Sequence, residues 1–71
     1  MIIHPATVEL QPNDLRLLRE SGLPLDADER RQESLPVGRA DLASRLRQAR
    51  ALTADPARRA VLVSYLKQLR A

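Results

Sequence analysis

A chain of 71 residues that contains no Cys cannot use disulfide bonds to stabilise a small fold. A chain of this length buries only about 60% of the surface that its unfolded form exposes, so its own core contributes little. Thiolate metal sites are excluded as well, and His4 and the scattered carboxylates form no cluster of ligands. We therefore expect no metal and no cofactor, and we expect a partner to supply stability, either another protein or a second copy of the chain in an oligomer.

The core is predicted to be aliphatic, because Leu dominates the apolar residues and Tyr65 is the single aromatic residue. No apolar run approaches the roughly 20 residues of a membrane span, and the residues before His4 do not form the apolar stretch of a signal peptide. We expect a single-domain cytoplasmic protein that makes no membrane contact. Frequent Leu, Arg and Ala are typical of GC-rich bacterial genomes.

The charges are distributed unevenly along the chain. Residues 1–36 carry four Arg against seven acidic residues, a net charge of −3, whereas residues 37–71 carry seven Arg and one Lys against two Asp, a net charge of +6. Such asymmetry is compatible with a basic half that meets an acidic partner or nucleic acid. The interpretation that we favour is that the acidic half folds back beside the basic half and that the other charges are solvated.

The N-terminal part predicts an extended segment followed by a short helix. Residues 7–10 alternate polar and apolar side chains, as a short strand does. The first helix is predicted over residues 12–21, with a Pro at its first position. Gly22 is predicted to end it, with Leu18 and Leu23 at the positions where a Schellman motif places its apolar contact.

The segment 24–37 is the least structured part by composition. Pro24 and Pro36 bracket a charged run that offers almost nothing to bury. Asp26 and Glu29 have the spacing of a capping box, which nucleates one or two helical turns. Because no apolar stripe would hold such a helix, we predict a polar mobile linker, with a marginal helix as the alternative.

The C-terminal part predicts an αα-hairpin. A second helix is expected over residues 38–52, and a third begins at Pro56, with Asp55 as its N-cap, and runs nearly to the end of the chain. A new helix this soon after the previous one requires a tight turn. The predicted fold class is therefore all-α with three helices, and the predicted organisation within the single domain comprises residues 1–23, 24–37 and 38–71.

The third helix has a wider apolar face than the narrow stripe of the second helix covers alone. The first helix covers the remainder, or a second molecule does. We predict that this face buries against a protein partner or a second copy, with Tyr65 as an anchor. The predicted protein-binding residues are Leu42, Leu46, Val61, Leu62, Tyr65, Leu66 and Leu69.

The chain is predicted not to be an enzyme. Without Cys, a nucleophilic thiol is excluded, and His4 is expected to be a solvated terminal residue and not a catalytic base. Asp26 and Asp28 lack the remaining ligands and the Gly of a calcium loop. With only Gly22 and Gly38, no glycine-rich phosphate loop is formed.

A DNA-binding regulator is the alternative function. On the second helix, Arg39, Arg47 and Arg50 cluster on one flank, with Ala43 among them, and are the candidate phosphate contacts. Residues 7–15, TVELQPNDL, resemble the strand-into-helix opening of ribbon-helix-helix repressors, although a long charged segment follows here. Residues 40–46, ADLASRL, resemble the first helix of a helix-turn-helix, without the turn Gly that the motif often uses.

The order of elements provides a further alternative. A short polar strand, a small helix, a mobile stretch and two amphipathic helices are similar in layout to anti-sigma factors and to helical chaperones and regulators of bacterial secretion systems. The resemblance implies a small protein that sequesters a partner by wrapping it with marginal helices. Asp55-Pro56 stands where the anti-sigma family usually has a Gly, so no functional residue is carried over.

Overall fold

The computed structural model describes residues 6–70, and its first element is a strand, β1, at Thr7–Leu10. The helices α1 at Pro12–Glu20 and α2 at Ala27–Arg31 follow. A second strand, β2, lies at Leu35–Gly38 and leads directly into α3 at Arg39–Leu52 and α4 at Pro56–Arg70. His4, which the sequence predicts to be a solvated terminal residue, lies outside the described residues.

The prediction of an all-α fold is wrong, because β1 and β2 pair as an antiparallel sheet. Val8 lies opposite Val37, and Leu10 lies opposite Leu35. Leu35 and Val37 are buried, whereas the alternate residues Pro36 and Gly38 are exposed. The alternation of a half-buried strand is therefore present in residues 35–38, but it is short and includes two residues that are usually depleted in strands.

The segment predicted as a mobile linker contains α2 and most of β2. Asp26 and Glu29 form the predicted capping box: the Glu29 N–H donates to Asp26 Oδ1 at 2.8 Å, and the Asp26 N–H donates to Glu29 Oε1 at 3.0 Å. The helix α2 buries none of its residues, so no apolar stripe holds it. Its anchor is an ion pair from Glu29 to Arg45 on α3.

The end of α1 has the predicted Schellman geometry. Gly22 has a φ of +95°, the Leu23 N–H donates to the Leu18 carbonyl at 2.9 Å, and the Gly22 N–H donates to the Arg19 carbonyl at 3.1 Å. Leu18 and Leu23 are both buried. This cap turns the chain back so that the segment before α2 also contributes Leu25 to the core.

The C-terminal αα-hairpin forms as predicted. Its helices α3 and α4 pack against each other, and Asp55 caps the start of α4 by accepting a hydrogen bond from the Ala57 N–H at 2.9 Å. The start of α1 is tied to the same unit, because α1 packs on α4. Of the two covers that the sequence allows for the wide face of α4, α1 is the one observed within the chain.

The core is aliphatic and joins every element except α2. Leu15, Leu18, Leu42, Leu46 and Leu62 are its largest fully buried side chains. Val8, Val61, Tyr65 and Leu69 pack against it while remaining partly exposed. Within residues 6–70, no helix has the length and apolar character needed to cross a membrane.

Candidate functional site

The predicted protein-binding residues divide into two groups by burial. Four of them are buried in the chain's own core. Three remain partly exposed. The buried residues are Leu42, Leu46, Leu62 and Leu66, and the partly exposed residues are Val61, Tyr65 and Leu69.

The hydroxyl of Tyr65 is engaged within the chain, while its ring is partly exposed. Its hydroxyl donates a hydrogen bond of 2.5 Å to Asp14 Oδ1 on α1. Burial of the ring, followed by the hydrogen bond and the negative charge of Asp14, raises the pKa of Tyr65 to about 12. The hydroxyl therefore stays protonated at neutral pH and joins α1 to α4.

The three candidate phosphate contacts have different environments. Arg39 is partly buried, and its Nε and Nη2 donate to the Leu69 carbonyl at 3.1 and 2.6 Å. That carbonyl is among the last four of α4, which have no partner within the helix, so Arg39 acts as a C-terminal cap. Arg47 and Arg50 are exposed on α3.

An open groove lies between α3 and α4 at the end of the hairpin where Arg39 meets Leu69. We call it the α3–α4 groove. Its volume is about 400 Å³, and it is lined by Ala6, Arg39, Ala40, Ala43, Arg47, Leu66 and Leu69. On α3 the small side chains of Ala40 and Ala43 leave space beside the larger Leu66 and Leu69 of α4, which gives the groove an apolar floor.

The charge on the α3–α4 groove has one sign. Arg39 and Arg47 line it, Arg50 follows one turn beyond Arg47, and no acidic residue is among the lining residues. Within the described part of the chain, ion pairs link Arg45 to Glu29, Arg45 to Asp41 and Arg58 to Asp55. Arg47 and Arg50 thus belong to no ion pair there.

In the sequence, Leu66 and Leu69 belong to the predicted apolar protein-binding face, and Arg39 and Arg47 belong to the predicted basic face for DNA. The structure brings all four to one groove. Ala6, Ala40 and Ala43 were not assigned to a site. The available signal was the position of Ala43 among the Arg residues of one helix flank, because a small apolar residue within a charged face produces a depression.

Arg45 forms the second electrostatic feature of α3. Its Nη1 and Nη2 donate to Glu29 Oε1 and Oε2 at 2.9 and 3.0 Å, and Nη1 also donates to the Pro24 carbonyl at 3.2 Å. The side-chain hydrogen bond to Arg45 and the backbone hydrogen bond at Asp26 hold the pKa of Glu29 below its ordinary value. Burial of Arg45 is partial, so this contact is protected from solvent more than a surface pair is.

Residues 6–70 contain no group of three or more His, Asp or Glu side chains arranged to hold a metal ion. Comparisons with protein-family models, with curated protein sequences and with solved structures find no significant match to this chain. The geometry of its surfaces is therefore the basis for assigning a function.

Proposed function

We propose that this chain is a non-catalytic binding protein that receives an acidic amphipathic helix of another protein in the α3–α4 groove. The observation that carries the proposal is the combination of an apolar floor with positively charged side chains in one open concavity. A regulator, an adaptor and a protein that sequesters its partner would all use such a site.

The apolar floor favours a protein ligand. Leu66 and Leu69 are the apolar side chains of α4 that a ligand would contact. On the opposite wall, the small side chains of Ala40 and Ala43 allow the ligand backbone to approach α3 closely. Burying one Leu or Ile side chain of a partner here is worth about 1.5–3 kcal/mol of transfer free energy. A nucleic acid backbone would leave this apolar surface without a matching partner, because its phosphates interact with the Arg side chains and not with the apolar floor.

The length of the groove favours a helical ligand. The lining residues of α3 extend from Arg39 to Arg47, which at 1.5 Å per residue corresponds to about 12 Å or two helical turns. A third helix laid along two packed helices buries side chains at positions i, i+3 or i+4, and i+7.

The charge of the groove favours an acidic ligand. Arg47 lines the groove, belongs to no ion pair within residues 6–70, and stands beside Arg50 in a half of the chain whose net charge is +6. Acidic side chains flanking the apolar stripe of the ligand would meet these Arg residues at the rim. Charge complementarity of this kind mainly increases the association rate and the specificity.

Of the predicted protein-binding residues, Leu66 and Leu69 line the groove, whereas Leu42, Leu46 and Leu62 lie in the core. Val61 and Tyr65 face the α1 side of α4, where Tyr65 bonds to Asp14. The DNA-binding alternative stays a prediction in which Arg47 and Arg50 are the freely exposed members, because Arg39 is engaged by Leu69.

A random peptide display library tests the proposal. After selection on the whole protein, we expect recovered peptides to be enriched in Asp and Glu and to carry Leu, Ile or Phe at helical spacing. Ala43→Glu places a bulky negative charge on the groove floor and is expected to weaken the recovered peptides at least about tenfold, which corresponds to 1.4 kcal/mol.

Arg58→Glu provides the matched control, because it reverses a charge on the exposed surface of α4 away from the groove. It is expected to leave affinity nearly unchanged. Peptides that bind wild type and Ala43→Glu equally would overturn the proposal. Two further results would identify a different occupant of the α3–α4 groove. One is a dimer in light scattering that Ala43→Glu converts to a monomer. The other is selected peptides that bind only after residues 2–5 are removed.

A further inference from the structure

A second concavity lies between α1 and α2 and gathers four Arg side chains from an otherwise acidic half of the chain. We call it the α1–α2 depression. Its volume is about 400 Å³. It is lined by Pro12, Asn13, Leu15, Arg16, Arg19, Arg30, Arg31, Gln32 and Glu33.

We infer that the α1–α2 depression binds a compact phosphate-bearing anion, of the class of pyrophosphate or the phosphate chain of a nucleotide. Guanidinium groups match phosphate oxygens with paired N–H donors, and four of them converge here from two helices. Glu33 is the one acidic residue among the lining residues, which leaves a local charge of +3 (four Arg minus one Glu).

The four Arg residues of the depression keep most of their charge within the described part of the chain. None of them belongs to an ion pair within residues 6–70. Arg19 donates to the Arg30 carbonyl at 3.1 Å and Arg16 to Asn13 Oδ1 at 3.4 Å, and both acceptors are uncharged. Arg19, Arg30 and Arg31 lie in the last turns of α1 and α2, where positive charge interacts favourably with the helix dipole. Arg16 lies outside those turns, so the helix dipole does not account for its position.

The first turn of α1 borders the depression and also carries Asp14, whose negative charge opposes the helix dipole there. Pro12 and Asn13 line the depression, and the N-cap residue Gln11 makes no side-chain hydrogen bond to the free N–H groups of that turn. The partial positive charge of a helix N-terminus favours anions. Side-chain amides of Asn13 and Gln32 provide further donors at the border.

The surroundings favour a compact ligand over an extended nucleic acid. Asp28 on α2 and Glu20 on α1 are exposed and are not among the lining residues, and residues 1–36 together carry −3, so a long polyanion meets repulsion outside the depression. Proteins that bind single strands without sequence preference stack bases on aromatic side chains. Tyr65 is the only aromatic residue of the chain, and it is bonded to Asp14.

Isothermal titration calorimetry with pyrophosphate at low ionic strength tests this inference. We expect saturable one-to-one binding that weakens as salt is added. Arg16→Gln combined with Arg31→Gln removes one guanidinium from each helix and is expected to reduce affinity at least about tenfold. Thermal unfolding of the wild type should shift upward with pyrophosphate, since a ligand that binds the folded state stabilises it.

Arg58→Gln combined with Lys67→Gln is the control, because it removes the same charge from exposed positions of α4. It is expected to retain pyrophosphate affinity. Equal affinity for ATP and pyrophosphate would show that the phosphate chain alone is recognised, and higher affinity for ATP would indicate a nucleotide; both support the site.

Three results would overturn the inference. The first is absence of pyrophosphate binding at low salt. The second is an equal loss of pyrophosphate affinity in both double variants, which indicates a diffuse charge effect. The third is tighter binding of single-stranded DNA than of pyrophosphate, weakened by both double variants. Circular dichroism of each variant confirms that a loss does not come from unfolding. The outcome is independent of the α3–α4 groove, whose ligand binds on different elements.

Discussion

Leu46 and Leu52 are the same residue type in the same helix, yet they have opposite environments. Leu46 is 0% exposed in the core, whereas Leu52, the last residue of α3, is 82% exposed. We expect Leu46→Ala to lower the free energy of unfolding by about 2–5 kcal/mol, since it removes buried methyl groups and leaves a cavity.

The matched Leu52→Ala change should stay within about 0.5 kcal/mol of the wild type. Urea unfolding followed by circular dichroism measures both variants. Equal effects at the two positions would contradict the placement of α3 against the core.

Tyr65 gives a pH dependence that is specific to one side chain. Its pKa is raised to about 12 by burial and by Asp14, so its contribution to stability is fully present below the unfolded value near 10 and is lost as the pH rises through about 12. Because the chain has one Tyr and no Trp, the ultraviolet absorbance of tyrosinate reports this residue alone.

We expect the Tyr65 absorbance titration to occur well above pH 10 in the folded protein and to return toward 10 when Asp14→Asn removes the negative charge. Tyr65→Phe should cost about 1 kcal/mol at neutral pH through the lost hydrogen bond. An ordinary titration near pH 10 in the folded wild type would show that α1 and α4 are not joined in this way.

At the scale of elements, the helix boundaries were predictable because local chemistry sets them. Three local features restrict the backbone at these boundaries: Pro12, Gly22 and the Asp55-Pro56 pair. Each acts through a few neighbouring residues, and the structure has a helix boundary at all three. The strand β2 was missed because its pairing depends on β1, which is nearly 30 residues away along the chain. Non-local pairing leaves a weak signal in a four-residue window.

The capping box made α2 the alternative to the predicted mobile linker, and the structure has the helix. What stabilises it is Arg45, which is four residues beyond Asp41 on α3 and pairs with both Asp41 and Glu29. In the sequence, only the i, i+4 spacing from Asp41 distinguishes Arg45 from the exposed Arg residues of the same helix, and nothing there indicates Glu29 as a partner. Its role arises from the fold, which brings α2 beside α3.

Replacing Arg45 tests this anchor. We expect Arg45→Met to lower the free energy of unfolding by about 1–3 kcal/mol and to speed amide hydrogen exchange in α2, because Glu29 loses its bidentate partner. Arg50→Met, on the same helix and exposed, is the control and should change neither quantity. Unchanged exchange in α2 after Arg45→Met would contradict the anchoring role.

The same contact has a defined pH window. Since the pKa of Glu29 is lowered in the folded state, its contribution is present above the ordinary carboxyl value near 4.5 and is lost as the pH falls through the lower folded value. The protection of α2 amides in the wild type should therefore decrease on acidification, and Arg45→Met should remove most of that dependence.

At the scale of the whole molecule, the acidic half does fold back beside the basic half, but within residues 6–70 one ion pair, Glu29 to Arg45, joins the two halves. Most of the remaining charged side chains are exposed, and the fold brings some of them together in surface concavities. Two of these concavities are the α3–α4 groove, which has an apolar floor, and the α1–α2 depression, which is rich in Arg. Charge totals along the sequence predicted neither grouping, because Arg16 and Arg31 become neighbours only when α1 and α2 are placed side by side.

The central claim is that an acidic amphipathic helix binds in the α3–α4 groove. Amide NMR spectra of the whole protein, recorded while a display-selected peptide is titrated in, test it most directly. We predict that the largest shift changes fall on Ala40, Ala43, Arg47, Leu66 and Leu69, and that Ala43→Glu strongly reduces them at the same peptide concentration. Changes confined to α1 and α2, with the signals of the groove residues unmoved at saturation, would contradict the claim.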